Sequence, residues 1–298
     1  MNKYRLFMFL MIQGIILKGI GQAETPVFSF GVIADVQYCD CVVKGTRFYR
    51  NSPVKLDSAL EMMSTQNLSF LVHLGDVIDR DYRSFDTVLP QFNELSIPTY
   101  FVLGNHEFSV SEAEKKLVPE KLGLEKRYYD FAVAGWRFVV TDGNDESAYA
   151  WPEGSKGRKT GEKKLAEMKA SGKPNAEPWN GGIGKKQMKW LEKTLADAAL
   201  KKEHIVLFSH FPVYPSNEHN LWNDREIKQL LESSPGVVAW MSGHNHAGGY
   251  TISEKIHYLI FHGMVETENT TAWAIVEVYK NRLVVKGEGR EPYRVLKF

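Results

Sequence analysis

The stretch FSFGVIADVQY, residues 28–38, sets the reading of the whole chain. Its first part, FSFGVIA at 28–34, is an apolar run of strand length, rich in aromatic and β-branched residues. Such a run reads as a buried strand. It ends on Asp35, and Gln37 follows two positions later. A carboxylate and an amide are thus delivered at the carboxyl end of a strand, the edge where open α/β sheets bind their ligands.

The same arrangement recurs. Apolar runs at 70–74 (FLVHL), 99–103 (TYFVL), 136–141 (WRFVVT), 205–208 (IVLF) and 237–241 (VVAWM) predict further strands. The first is followed by Gly75-Asp76-Val77-Ile78-Asp79 and the second by Gly104-Asn105-His106-Glu107. Ser209-His210 and Gly243-His244-Asn245-His246 follow the last two. Each cluster alone is an ordinary turn or an isolated histidine, but their repetition at one strand end after another predicts a metal site. His73, His204, His219, His257 and His262 fall outside the pattern and are expected to be surface or satisfied core residues.

Between the strands, helices are predicted over 53–66, 84–96, 185–200 and 224–234. In the third, Met188, Leu191 and Leu195 recur at helical spacing. The segment TAWAIVEVYKNRLVVKGEG (271–289) reads as an antiparallel hairpin turning at Lys280-Asn281. Strand–helix alternation followed by strands predicts an α/β sandwich of mixed sheets. No repeat or long linker interrupts residues 24–298, which are expected to form one domain.

With 298 residues, 43% hydrophobic and 24% charged, the composition is that of a soluble globular protein. A net charge of +1 excludes a charge-dominated nucleic-acid binder. The lysine-rich stretch 153–178 reads as a solvated surface insertion. At the N-terminus, Lys3 and Arg5 precede an apolar stretch from Leu6 to Leu17 and small residues up to Ala23. This predicts a signal peptide over 1–23, hence a periplasmic or secreted protein with no stable membrane span after processing. The two cysteines, Cys39 and Cys41, stand one residue apart. A disulfide wants Cα atoms roughly 5.5 Å apart in a favourable orientation, so free thiols beside the site are expected.

The motifs D-x-Q (35–37), G-D-x-x-D (75–79), G-N-H-E (104–107), S-H (209–210) and G-H-x-H (243–246) together resemble the calcineurin-like metallophosphoesterase superfamily. The resemblance implies two mixed β-sheets packed as a sandwich flanked by helices, a four-layer fold, with two divalent metal ions at the strand ends. It implies that Asp35, Gln37 and His246 bind the first metal, that Asp76 bridges both, and that Asn105, His210 and His244 hold the second. His106 resembles the superfamily's non-ligand histidine, which donates to the transition-state or leaving oxygen, and Asp79 resembles its partner. Most of the superfamily has histidine where this chain has Gln37. A neutral carbonyl oxygen is a harder ligand than imidazole and suits Mn²⁺ or Mg²⁺, so Mn²⁺ is the expected cofactor.

A-D-V-Q-Y (34–38), G-T-R-F-Y-R (45–50), N-G-G-I-G (180–184), G-H-N-H-A-G-G-Y (243–250), V-E-T (265–267) and G-R-E-P (289–292) are similar to one branch, the manganese-dependent ADP-ribose/CDP-alcohol diphosphatases. This resemblance implies hydrolysis of the phosphoanhydride of ADP-ribose, CDP-choline or CDP-glycerol by a metal-activated hydroxide. The products would be a nucleoside monophosphate and a phosphate ester. Arg47 and Arg50 are candidate phosphate contacts or a solvated basic face. Tyr38 and Cys39 are candidates for a base or sugar pocket, Tyr38 otherwise being a core aromatic. Asn180, Gly181 and Gly182 precede a helix and form either an anion site or a plain helix entry. Two other readings stand beside this one: a phosphomonoesterase or general phosphodiesterase of the same superfamily, and a binding module without catalysis.

Overall fold

The run at 28–33 forms strand β1 (Phe28–Ile33), buried from Ser29 onward. The structure is a computed structural model that describes residues 24–298, so the expected signal peptide lies outside the described residues. The chain continues through α1 (Ser52–Ser64), β2 (Phe70–His73), α2 (Ser84–Phe92), β3 (Thr99–Phe101), α3 (Val118–Lys121), β4 (Tyr129–Val133) and β5 (Trp136–Val140). Next come β6 (Glu146–Ser147), α4 (Lys156–Ala170), β7 (Gly181–Gly182), α5 (Lys185–Leu200), β8 (His204–Phe208), α6 (Asp224–Glu232) and β9 (Val237–Ser242). It ends with β10 (Gly249–Ser253), β11 (Ile256–Ile260), β12 (Ala272–Val278), β13 (Arg282–Gly289) and β14 (Arg294–Lys297).

Two six-stranded sheets result, ordered β14-β13-β12-β1-β2-β3 and β10-β11-β9-β8-β5-β4. Both are mixed. In the first, β1, β2 and β3 run parallel, while the predicted hairpin β12–β13 and β14 are antiparallel. In the second, β5, β8, β9 and β11 run parallel between antiparallel edge strands β4 and β10.

Period-two alternation along the strands builds the layers. One face of β1, through Phe30, meets Phe70, Phe138 and Phe208 between the sheets, with Phe30 and Phe138 centroids 5.5 Å apart. The opposite face, through Ile33, joins Leu56, Leu60 and Met63 of α1 and Phe85 and Val88 of α2. On the far side, Val139, Leu207 and Trp240 pack against Met188, Leu191 and Leu195 of α5 and Leu231 of α6. Each fully buried Leu or Phe contributes about 1.5–3 kcal/mol of transfer free energy. Helix, sheet, sheet and helix are thus cemented by three apolar layers.

All six expected strands and four expected helices form, with ends shifted by a few residues. The strands β4, β10 and β14 were not read from sequence because they lie at sheet edges and are only partly buried, without a continuous apolar run. The fully buried β11, whose short apolar run is interrupted by His257, and the two-residue β6 and β7 were not read either. The lysine-rich stretch folds as α4, which keeps most of its length in solvent but buries Met168 against Trp222.

Candidate metal centre

The carboxyl ends of β1, β2, β3, β8 and β9 meet at one edge, and their loops are laced together by backbone hydrogen bonds. The N–H groups of Asp35 and Gln37 donate to the carbonyls of Gly75 (3.1 Å) and Asp76 (2.7 Å). The N–H of Val265 donates to the carbonyl of Asp35 at 2.9 Å. Asp35, Gln37, Asp76 and His244 all have positive φ, between 45° and 66°. A left-handed residue other than glycine costs roughly 1–2 kcal/mol. Four such residues among the candidate ligands mean that the surrounding bonds hold the chain where each side chain turns inward. Gly104 allows the closest approach, since a Cβ there would lie 2.2 Å from Oδ1 of Asp76.

Three histidines face this edge, and each has one ring nitrogen already engaged. Nδ1 of His210 donates to the carbonyl of Leu74 (2.8 Å). Nε2 of His244 donates to Oδ1 of Asn180 (3.0 Å), and Nδ1 of His246 donates to Oε1 of Glu266 (2.7 Å). The free nitrogens therefore point to the centre. Nε2 of His210 lies 3.2 Å from Oδ2 of Asp76, 3.1 Å from Oδ1 of Asn105 and 3.2 Å from Nδ1 of His244. Nε2 of His246 lies 3.4 Å from Oδ1 of Asp35. Ligand atoms of Asp76, His210 and His244 lie within 4.8 Å of one another, as do those of Asp35, Asp76 and His246, so Asp76 belongs to both groups.

Gln37 is fully buried and donates from Nε2 to Oδ2 of Asp76 at 3.0 Å, which leaves Oε1 buried without a hydrogen-bond partner. An orphaned buried oxygen needs an explanation, and a cation is one. Two carboxylates, two amide oxygens and three imidazole lone pairs form a donor set that fits two divalent cations. The electrostatics agree. Burial opposes charge on His210, but the Asp76 carboxylate and its hydrogen bond outweigh it and carry the ring to about 9. Burial and the charge on His210 drive His244 well below the imidazole range. Burial opposes the charge on Asp76 too, yet His210, His106 and His244 hold it well below the carboxylate range. The centre thus calls for positive charge.

Beside these candidate ligands lies a cleft of about 310 Å³. His106 lines it, with Nδ1 donating to Oδ1 of the buried Asp79 at 2.8 Å, so that Nε2 is left for the cleft. Arg47 also lines it, its Nε 3.5 Å from Oε1 of Glu266. Two further wall residues, Trp179 and His219, escaped the sequence reading, and His219 is no bland surface histidine. Neither directly follows a strand, so the pattern that picked out the candidate ligands does not include them. Glu107, the last residue of G-N-H-E, is buried and accepts from the N–H groups of Val77 (2.6 Å) and Gly104 (3.0 Å), which ties two ligand loops together.

Other expected substrate contacts lie elsewhere. Arg50 is solvated and paired with Asp40 at 2.6 Å, outside the cleft. Tyr38 packs against the core beneath α1 and α2. Cys39 is buried with Tyr49 and Val265 and forms a disulfide with Cys41, Cα to Cα 5.2 Å, in place of the expected free thiols. The single intervening residue bends enough to bring the Cα atoms within the usual range. Asn180 is fully buried and holds His244 in place. Its Nδ2 donates to the carbonyls of Asn175 and Glu218, which fixes Oδ1 as the acceptor. Gly181 and Gly182 form the short strand β7, paired with β6. At the entry to α5, the N–H groups of Ile183 and Gly184 already donate to Asn223 and Asp145.

A family model described as calcineurin-like phosphoesterase matches residues 28–248, a span that includes every candidate ligand. The chain is 31% identical to the manganese-dependent ADP-ribose/CDP-alcohol diphosphatase of Arabidopsis thaliana, over 90% of this chain and 96% of that protein. It is 29% identical to the Homo sapiens protein of the same name, over 94% and 96%. Among solved structures, a dimetal phosphatase from Danio rerio superposes with a TM-score of 0.82 at 28% identity, covering 92% of this chain and 99% of that one. The chain therefore belongs to the calcineurin-like phosphoesterase family.

Proposed function

We propose that the protein is a manganese-dependent diphosphatase acting on ADP-ribose- and CDP-alcohol-type compounds. The observation that carries this reading is the convergence of three histidine nitrogens, two carboxylates, Asn105 and the unpartnered oxygen of Gln37 beside an open cleft. The substrate class rests on the names of the relatives. In the reaction, water adds to one phosphorus, the bridging P–O bond breaks, and the second phosphate leaves with the electron pair. Asp35, Gln37 and His246 would hold one divalent cation, Asn105, His210 and His244 the other, and Asp76 both. Such a pair, when bound, stabilises phosphoryl charge and lowers the pKa of water.

The chain's own residues supply the rest. His106, oriented by Asp79, presents Nε2 to the phosphoryl or leaving oxygen. Because a phosphate leaves readily as an anion, this group acts chiefly by stabilising charge. Arg47, steered into the cleft by Glu266, supplies a guanidinium to the second phosphate. Trp179, 42% exposed at the cleft wall, offers an aromatic face to a nucleobase.

The test is a substrate panel with Mn²⁺: ADP-ribose, CDP-choline and CDP-glycerol beside p-nitrophenyl phosphate and bis-p-nitrophenyl phosphate. A nucleoside monophosphate plus a phosphate ester is the expected product pair, and preference for the aryl esters would sink the reading. We also propose export through the segment 1–23. The Cys39–Cys41 disulfide supports an oxidising compartment, and among the described residues no helix is long and apolar enough to cross a membrane. N-terminal sequencing of protein from the extracellular or periplasmic fraction should begin near Glu24.

A further inference from the structure

The V-E-T segment at 265–267 lies outside every strand-end cluster, yet it touches the first candidate metal group from two sides. Through its backbone, the N–H groups of Met264 and Val265 donate to the carbonyls of Ala34 and Asp35, each at 2.9 Å. Through its side chain, Glu266 accepts Nδ1–H of His246 at 2.7 Å. The backbone of Gly263 lies flat against the same ring, where a Cβ would approach Cγ of His246 to 2.7 Å. One short loop thus fixes both Asp35 and His246.

That loop is itself held by a buried lysine. Lys55 of α1 is 7% exposed, and its Nζ donates to the carbonyls of Met264 and Glu266, each at 3.0 Å, and to that of Thr267. All three ammonium protons are placed on one turn of backbone. Burying a lysine costs free energy unless it is fully hydrogen-bonded. Here the bonds are spent on a turn whose Glu266 side chain addresses a candidate metal ligand.

The geometry points to Glu266 as the positioning residue of the first metal site, acting through His246, with Lys55 holding Glu266 in turn. Without the carboxylate, the imidazole can turn over or change tautomer, and Nε2 is no longer kept as a lone pair facing Asp35. A carboxylate behind a ligand histidine also raises the basicity of the coordinating nitrogen. Arg47 shares the same carboxylate oxygen at 3.5 Å, so the residue that orients the metal ligand also steers the cleft guanidinium.

This assignment rests on the two-metal reading above, and its test separates the two. Mn²⁺ binding to the full chain would be measured by calorimetry and by the electron paramagnetic resonance of free Mn²⁺, with no substrate present. Wild type should take up two ions. Glu266→Ala should weaken one of them about 10- to 100-fold and leave the other unchanged. Glu266→Gln keeps an oxygen acceptor for Nδ1–H and should recover most of the loss, and Lys55→Met should fall between. Nitrogen NMR of His246 should show the Nδ1–H tautomer in wild type and in Glu266→Gln, and its loss in Glu266→Ala. Two ions bound with wild-type affinity by a folded Glu266→Ala protein would overturn the assignment alone. A wild-type chain that takes up no Mn²⁺ would overturn the metal reading and the assignment with it.

Discussion

Nε2 of Gln37 donates to Oδ2 of Asp76 at 3.0 Å, and that bond decides which end of the amide faces the metal centre. With the nitrogen committed to the carboxylate, Oε1 is left buried and unpartnered among the other ligands. The glutamine thus presents its oxygen as a candidate metal donor. Gln37→His would replace that oxygen with a softer nitrogen, and the Zn²⁺-to-Mn²⁺ affinity ratio should rise severalfold. Competition binding measures this, and an unchanged ratio would count against oxygen coordination by Gln37.

Loading the centre should stabilise the fold, because Asp35, Asp76 and the facing histidine nitrogens otherwise confront one another with too little positive charge between them. At Mn²⁺ concentrations near 100 times Kd, linkage supplies about 2.7 kcal/mol, a rise in Tm of roughly 4–5 °C for a chain of this size. Scanning calorimetry with Mn²⁺ and with a chelator would show it. A Tm indifferent to Mn²⁺ would refute the site.

His106 sits in the cleft with Asp79 behind it. His106→Ala should lower kcat about 100-fold, the low end for a positioned proton donor because a phosphate leaving group is already stable. Asp79→Asn keeps an acceptor for Nδ1–H and should cost less. In both variants KM should change little. Unaltered turnover in both, with Mn²⁺ bound, would remove them from the mechanism.

Gly104 has no room for a side chain, since a Cβ would lie 2.2 Å from Oδ1 and 2.4 Å from the backbone nitrogen of Asp76. The backbone atom cannot swing aside. Gly104→Ala should cost about 1–3 kcal/mol in urea denaturation and displace Asp76, so that Mn²⁺ uptake falls below two ions. Wild-type stability with full uptake would contradict the packing described for this loop.

His257 gives the fold an acid sensitivity away from the metal centre. Nε2 donates to the carbonyl of Lys297 (2.9 Å), and Nδ1 lies 3.0 Å from the hydroxyl of Tyr250. Burial lowers its pKa below the ordinary 6.5. Below that value the unfolded chain takes up a proton that the folded chain refuses, so stability rises with pH across the window. The contribution is intact above pH 6.5 and is lost as pH falls towards the lower folded value. His257→Gln keeps a donor for Lys297 and should shrink the difference in unfolding free energy between pH 7.5 and 5.5. Other buried histidines will leave part of that difference in place. Identical pH dependence in the two proteins would show that His257 does not contribute.

Much of this protein is local and was therefore written in the sequence. A buried strand needs an apolar run, and a ligand at its carboxyl end needs only the next two or three residues. Asp35, Gln37, Asp76, Asn105, His210, His244 and His246 could all be nominated as candidate ligands for that reason, and β1, β2, β3, β5, β8 and β9 were legible too, whereas the buried inner strand β11 was not. Tertiary structure decided the features whose partners lie far apart in the chain. Asn180 moved from a substrate contact to the support of His244, 64 residues away. Glu266 and Lys55 came together across 211 residues. Trp179 and His219 entered the cleft from loops with no strand to announce them. The Cys39–Cys41 disulfide depended on how one intervening residue bends. Sequence alone determined which atoms can bind a metal, because that is a property of side chains at strand ends. Only the fold decided which nitrogen of each histidine is free to do so, because that depends on the acceptor packed behind each ring.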